Sequence, residues 1–198
     1  MAACQSTTPP PVVSPSPSPS PHAAPTDAIL QASDVPAGLT PCLGSGPIDV
    51  YVNTLAHADA TVGARVGAQW AQLQAGGATQ GAISLFTSTP AACSAELATT
   101  SSAKTIVAFV AVFADPGQAD RAWNAGVFGF TPPTPGELPT GVTSGTGTGL
   151  GLSSWTFNRP PVQLACWHKS VFVALVVVGN LDAATFKAAT TTIDARLN

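Results

Sequence analysis

Two apolar runs near the end of the chain, residues 162–168 and 171–179, constrain the fold more than any other feature. Neither carries a charged side chain, and only Lys169-Ser170 separates them. Strong β-formers on either side of a two-residue connection predict a hairpin. In that register Cys166 stands opposite Val173 and Leu164 opposite Leu175, while Trp167, Phe172 and Val176 point the other way. Both faces are then apolar, so the hairpin is expected to be central or covered on both sides.

The elements before it alternate helix and strand. Thr26 to Leu30 reads as a capped short helix, ended by Asp34-Val35-Pro36-Ala37-Gly38. Residues 44–47 form a turn. Val62, Val66, Trp70 and Leu73 recur at spacings of four, four and three, which places one apolar stripe on a helix over residues 60–75. Gly63 and Gly67 lie inside that helix, and a close approach to the sheet is the expected reason. Strands are predicted over residues 80–86, 105–114 and 154–157, and a short helix over 90–98. Pro116 after Asp115 opens another helix, with Ala119, Ala122 and Trp123 on its buried side. Residues 131–151, rich in proline and glycine, read as a long irregular loop. Leu181-Asp182 opens a last helix whose stripe is Phe186, Ala189, Ile193 and Leu197. The fold class is α+β: a largely antiparallel sheet with helices mainly on one face.

Composition narrows the function classes. Charged residues are 9% of the chain and the net charge is −3. The seven Lys and Arg are scattered singly, so no basic stripe exists to neutralise phosphates, and nucleic-acid binding is disfavoured. A surface built of Thr, Ser, Gln, Ala and Gly suits an extracytoplasmic protein. The longest apolar runs are about half the ~20 residues of a membrane helix.

The first 25 residues are different in kind. Eight of the nineteen prolines precede Thr26, Ser and Pro alternate from Ser14 to Pro21, and no charge appears before Asp27. In such a stretch each proline fixes φ and removes a ladder donor, and there is almost nothing apolar to bury. It is expected to be a disordered tether that in polyproline II form reaches up to ~65 Å. Met1-Ala2-Ala3-Cys4 at its head resembles the cleavage site of a bacterial lipoprotein, whose cysteine becomes the lipidated first residue. The resemblance implies a membrane anchor at Cys4. It also implies a secretory leader lying upstream of Met1 or already removed, since a leader needs an apolar segment before the cleavage site.

Outside the cytoplasm, two of Cys42, Cys93 and Cys166 are expected to pair. Cys42 lies in a Pro/Gly-rich loop, where a staple has most to fix, and Cys93 follows Pro90; Cys42–Cys93 is the favoured bond. Cys166, inside an apolar strand, reads as a core thiol. Connectivity does not follow from sequence alone, and an all-reduced domain is the alternative.

The domain is similar to small domains of actinobacterial-type secreted lipoproteins and extracellular sensors. The residues that carry the likeness are Asp34-Val35-Pro36-Ala37-Gly38-Leu39, Gly149-Leu150-Gly151-Leu152, and the final hairpin and helix. The resemblance implies a non-enzymatic envelope protein and supplies no catalytic residues.

Each candidate for chemistry has a simpler explanation. Cys166 and His168 share a strand face, but zinc needs further ligands, so a buried thiol beside a turn-end histidine is expected. In His57-Ala58-Asp59 the aspartate reads as a helix N-cap and the histidine as a loop residue before it, not as base and orienter. The glycines from Gly145 to Gly151 precede a strand, where a phosphate loop would precede a helix. Asp115 and Asp120 flank a helix start, Glu96 and Glu137 stand alone, and no facing pair for glycoside hydrolysis emerges. Trp70 and Trp123 sit on buried stripes. Trp155 and Arg159, beside the long loop, are the pair expected to contact a ligand. No cofactor or metal is implied. The expectation is a lipid-anchored cell-surface domain binding a small ligand or an envelope partner; an envelope hydrolase with a scattered site and a structural wall component are the alternatives.

Overall fold

The computed structural model describes residues 23–94, 102–134 and 136–197. Cys4, His22, Glu96 and the expected tether as far as residue 22 lie outside them. Pro25, read as the last tether residue, is instead the buried first residue of a short helix, α1 (Pro25–Ala28). Its fixed φ suits the first helical position, where no intrahelical partner for an N–H is needed.

Two very short strands, β1 (Thr40–Pro41) and β2 (Gly46–Pro47), lead into helix α2 (Ile48–Ala58). Helix α3 (Ala60–Ala75) follows, then strands β3 (Ala78–Thr87) and β4 (Thr105–Phe113) and helix α4 (Pro116–Ala125). Strands β5 (Val142–Ser144), β6 (Ser154–Arg159), β7 (Val162–Lys169) and β8 (Phe172–Gly179) precede the last helix, α5 (Ala183–Arg196). The strands form one antiparallel sheet in the order β1-β3-β4-β8-β7-β6-β5, and β2 joins β1 on the outer edge of β3. The fold is α+β. No helix among the described residues is long and apolar enough to cross a membrane.

Helices α2, α3 and α4 cover one face, packing over Ile83, Leu85, Phe109 and Leu175. Helices α1 and α5 cover the other, over Phe86, Ile106 and Val176. The hairpin β7–β8 is therefore central and buried on both sides, as its apolar runs require. Phe109, with no exposed surface, meets Trp70 and Phe128 edge-on, at centroid distances of 6.3 and 4.6 Å. Edge-to-face pairs of this kind add about 1 kcal/mol to simple burial.

The hairpin's register differs from the expected one by two residues. Cys166 pairs with Leu175 and Leu164 with Val177, and the turn is Ser170-Val171. Ser170 adopts φ +55°, and the carbonyl of buried Val171 accepts from Phe113 N at 2.8 Å. That contact with β4 holds the turn one residue further along. A shift of two leaves every side chain on its expected face.

Helix α2 was not anticipated. It lacks a capping side chain and starts with β-branched residues, but Ile48, Tyr51 and Leu55 make a buried stripe. Asp59 separates it from α3: its N–H closes α2 onto Leu55 O, and its Oδ1 accepts from Thr61 N and Val62 N at 2.9 and 3.1 Å. His57 thus ends a helix and is not a loop residue. The glycines of α3 serve a helix-to-helix approach: a Cβ on Gly63 would stand 2.5 Å from Ala56 Cα, and one on Gly67 would meet Val52. The close contact with the sheet runs through Gly81 on β3, where a Cβ would lie 2.8 Å from the Trp70 ring.

The stretch 131–151 is only partly irregular. β5 pairs with β6, and Gly145–Thr148 forms a 3-10 turn held by Ser154 Oγ, which lies 2.6 Å from both Thr148 Oγ1 and Gly151 O. On the far face, Arg196 clamps α5 to the chain after α1, donating to Asp34 Oδ2 and Oδ1 at 2.8 and 2.9 Å. Burial alone would raise the Asp34 carboxyl, but the hydrogen bonds from Arg196 and Gln31 N and the Arg196 charge outweigh it and hold it below its ordinary range.

Candidate functional site

The expected ligand pair is not brought together. Trp155 lies opposite Cys166 and is buried in the core, with its Nε1 lacking a hydrogen-bond partner among the described residues. Arg159 is exposed at the far end of β6, opposite Val162. Three strand residues separate them, so they stand four residue steps, about 13 Å, apart on the same face.

Cys166 is fully buried, and burial pushes its thiol well above the ordinary range. His168 closes a local contact, Nε2 to Ser170 O at 2.6 Å, and its Nδ1 stands 3.9 Å from Asp120 Oδ1. Among the described residues no group of three His, Cys, Asp or Glu could hold a metal ion. Asp59 and Asp115 are committed to helix N-termini, the latter accepting from Gln118 N at 2.9 Å. The Gly145–Thr148 turn runs on towards strand β6, so it presents no helix N-terminus to an anion.

A cleft forms instead at the opposite edge of the sheet. Cys42 and Cys93 are disulfide-bonded, with their Cα atoms 5.5 Å apart. The bond ties the segment after β1 to the 3-10 turn Pro90–Ser94, and these two pieces face the C-terminal half of α2. Between them lies a cleft of about 300 Å³, walled by residues 40–43, by Tyr51, Leu55 and Ala58 of α2, and by Cys93. The volume is at the lower end of small-molecule sites.

The sheet edge explains why a cleft survives here. β1 and β2 each pair with only two residues of β3, and the chain bulges away between them. Ser45 Oγ fills the ladder gap by accepting from Leu85 N at 3.2 Å, and Cys42 N donates to Leu85 O at 2.8 Å. The bulge cannot collapse onto α2, because Gly44 (φ +84°) already stands so close that a Cβ would meet Thr54 at 2.7 Å. The disulfide then holds the outer wall in place.

The cleft's polar inventory is short. Thr54 Oγ1 donates to Val50 O at 2.9 Å and Thr40 Oγ1 to Thr87 O at 3.3 Å. Tyr51 is 2% exposed, and its hydroxyl has no hydrogen-bond partner among the described residues. Burial pushes that hydroxyl up to about 12, so it stays protonated at any physiological pH. At the rim, Leu43 is 85% exposed. The sequence reading named Cys42 and Cys93 but missed α2; the Ile48, Tyr51, Leu55 spacing was the available signal.

Fold and site define a disulfide-stapled α+β domain with one apolar cleft beside the staple. No protein-family model, curated protein or solved structure matches the chain, so its own geometry carries the functional reading.

Proposed function

We propose that this is the extracytoplasmic domain of a lipid-anchored surface protein, which binds a small ligand in the cleft beside Cys42–Cys93 and performs no chemistry on it. The observation that carries the reading is that cleft, about 300 Å³ and stapled open by a disulfide. The bond supports an oxidising compartment. The Ser/Pro stretch and Cys4 support display from a membrane on a spacer of up to ~55 Å, since the domain begins before Pro25. Binding is favoured over catalysis by what lines the cleft: its described walls hold no His, Asp, Glu, Lys or Arg, and the Tyr51 hydroxyl does not titrate near neutrality. A general acid or base works best with a pKa near the operating pH.

Intact native mass spectrometry of the protein purified from its host's membranes tests both halves. The expected result is a mass excess matching acyl chains at Cys4, together with a small molecule released on denaturation and absent from an Ala58→Trp variant that fills the cleft. An unmodified polypeptide mass would remove the anchor. Equal retention of the molecule by Ala58→Trp would remove the cleft.

A further inference from the structure

The outer wall of the cleft is weakly tied to the sheet behind it. Residues 40–47 pair with β3 through two residues at each end, and between those pairs every hydrogen bond to the sheet goes to one residue, Leu85. Unfilled space lies on both faces of the segment. One face is the cleft; the other is a second groove, of about 380 Å³, walled by Leu30 and Phe86, and Pro41 lines both. The tip, Leu43, is 85% exposed and has little packing to hold it. Across the mouth, Cys93 sits on the 3-10 turn Pro90–Ser94. Among the described residues no hydrogen bond joins 40–47 to 90–94, so the disulfide is what ties them together.

The opposite wall is independent of that bond. Tyr51 and Leu55 are buried, and Asp49 Oδ1 accepts from Trp70 Nε1 at 2.9 Å, which holds α2 to α3. Cutting the disulfide therefore frees one wall and leaves the other standing. A segment with few bonds behind it and space on both sides opens at low cost.

We propose that Cys42–Cys93 is a redox switch on the cleft: the oxidised bond sets the wall in its binding position, and reduction by a dithiol releases residues 40–47 and the guest with them. This rests on the cleft being the binding site proposed above. The dithiol's thiolate attacks one sulfur of the bond and expels the other, which takes up a proton. Its second thiol then displaces the second protein sulfur and passes its own proton to it. Cys42 and Cys93 end as thiols, and the reductant, oxidised by two electrons, ends as a disulfide. Cys166 is fully buried and takes no part. The domain thus binds only where its compartment keeps the bond oxidised.

Fluorescence titration of the full chain with 1-aminoanthracene, an uncharged apolar dye, tests this before and after treatment with dithiothreitol. The oxidised protein is expected to bind saturably. The reduced protein should bind at least about tenfold more weakly, the factor for a wall in place in about a tenth of the molecules. Reoxidation should restore the affinity, and the double variant Cys42→Ser, Cys93→Ser should behave as reduced with or without dithiothreitol. Amide exchange on the same samples should rise over residues 40–47 on reduction while β4 and β8 stay protected. Equal affinity in the two forms, with binding lost in Ala58→Trp, overturns the switch and leaves the cleft as a site. Loss of protection in β4 and β8 on reduction overturns it too, since the bond would then hold the whole fold. If the dye does not bind the oxidised protein, or binds Ala58→Trp equally well, the cleft and the switch fall together.

Discussion

The centre of the sheet and its β1–β2 edge are built on opposite principles. In the centre, β4, β8 and β7 are continuous apolar strands with helices on both faces, and Phe109, Phe172 and Leu175 are fully buried. Nothing there depends on one bond, since each side chain touches many others. At the edge, two strands of two residues each are held by a serine hydroxyl, a disulfide and the flank of α2. Dense packing leaves no room for a guest, whereas specific local bonds hold a wall in place without filling the space behind it. The cleft therefore lies at the region with the least redundancy.

The largest effect should come from breaking the centre. Phe109→Ala removes a ring packed between Trp70 and Phe128 and is expected to cost up to about 5 kcal/mol in denaturant unfolding. A loss under about 1 kcal/mol would mean that the centre can collapse around the hole. Replacing both Cys42 and Cys93 by Ser comes next. The bond spans 51 residues of sequence, and the chain-entropy model gives about 4 kcal/mol for a loop of that size. The contrast lies in where protection is lost: amide exchange should rise first over residues 40–47, while β4 and β8 keep theirs. Uniform loss across the sheet would show that edge and centre open as one unit.

The smallest effect is electrostatic. The chain has a single tyrosine, so phenolate absorbance reports Tyr51 alone. Its folded hydroxyl sits at about 12 against an ordinary 10.0. The folded state thus holds the proton more tightly than the unfolded one. That contribution to stability is complete below pH 10 and is lost as the pH rises towards about 12. Absorbance should stay flat through pH 10 and rise only near 12 or with alkaline unfolding. A midpoint at 10 would mean that water already reaches the hydroxyl, and that the edge is as open as the centre is closed.

Periodicity and caps made most of the regular elements legible. The stripe of α3, the Asp115-Pro116 start of α4, the Asp182 start of α5 and both faces of the β7–β8 hairpin all follow from local spacing. The elements that escaped are those whose local pattern is ambiguous. α2 begins with β-branched residues and no capping side chain, so its one local signal is the Ile48, Tyr51, Leu55 spacing. β5 is three residues in a glycine- and proline-rich stretch, and pairing with β6 makes it a strand. Of the site, Cys42 and Cys93 were legible as a bond, because a Pro/Gly-rich loop is where a staple constrains most. The cleft itself was not, since it depends on α2.

Sequence by itself determined the fold class and the faces of the central strands, because each rests on residue types at short, regular spacing; it favoured the Cys42–Cys93 pair without fixing it. Tertiary structure decided the strand order, the two-residue register of the hairpin and the place of the cleft. An alternating apolar pattern is unchanged by a slip of two, so it cannot choose between registers; the Val171–Phe113 hydrogen bond makes that choice from 58 residues away. A cleft is likewise a property of surfaces that fail to meet, and no single segment encodes the distance between its own wall and the others.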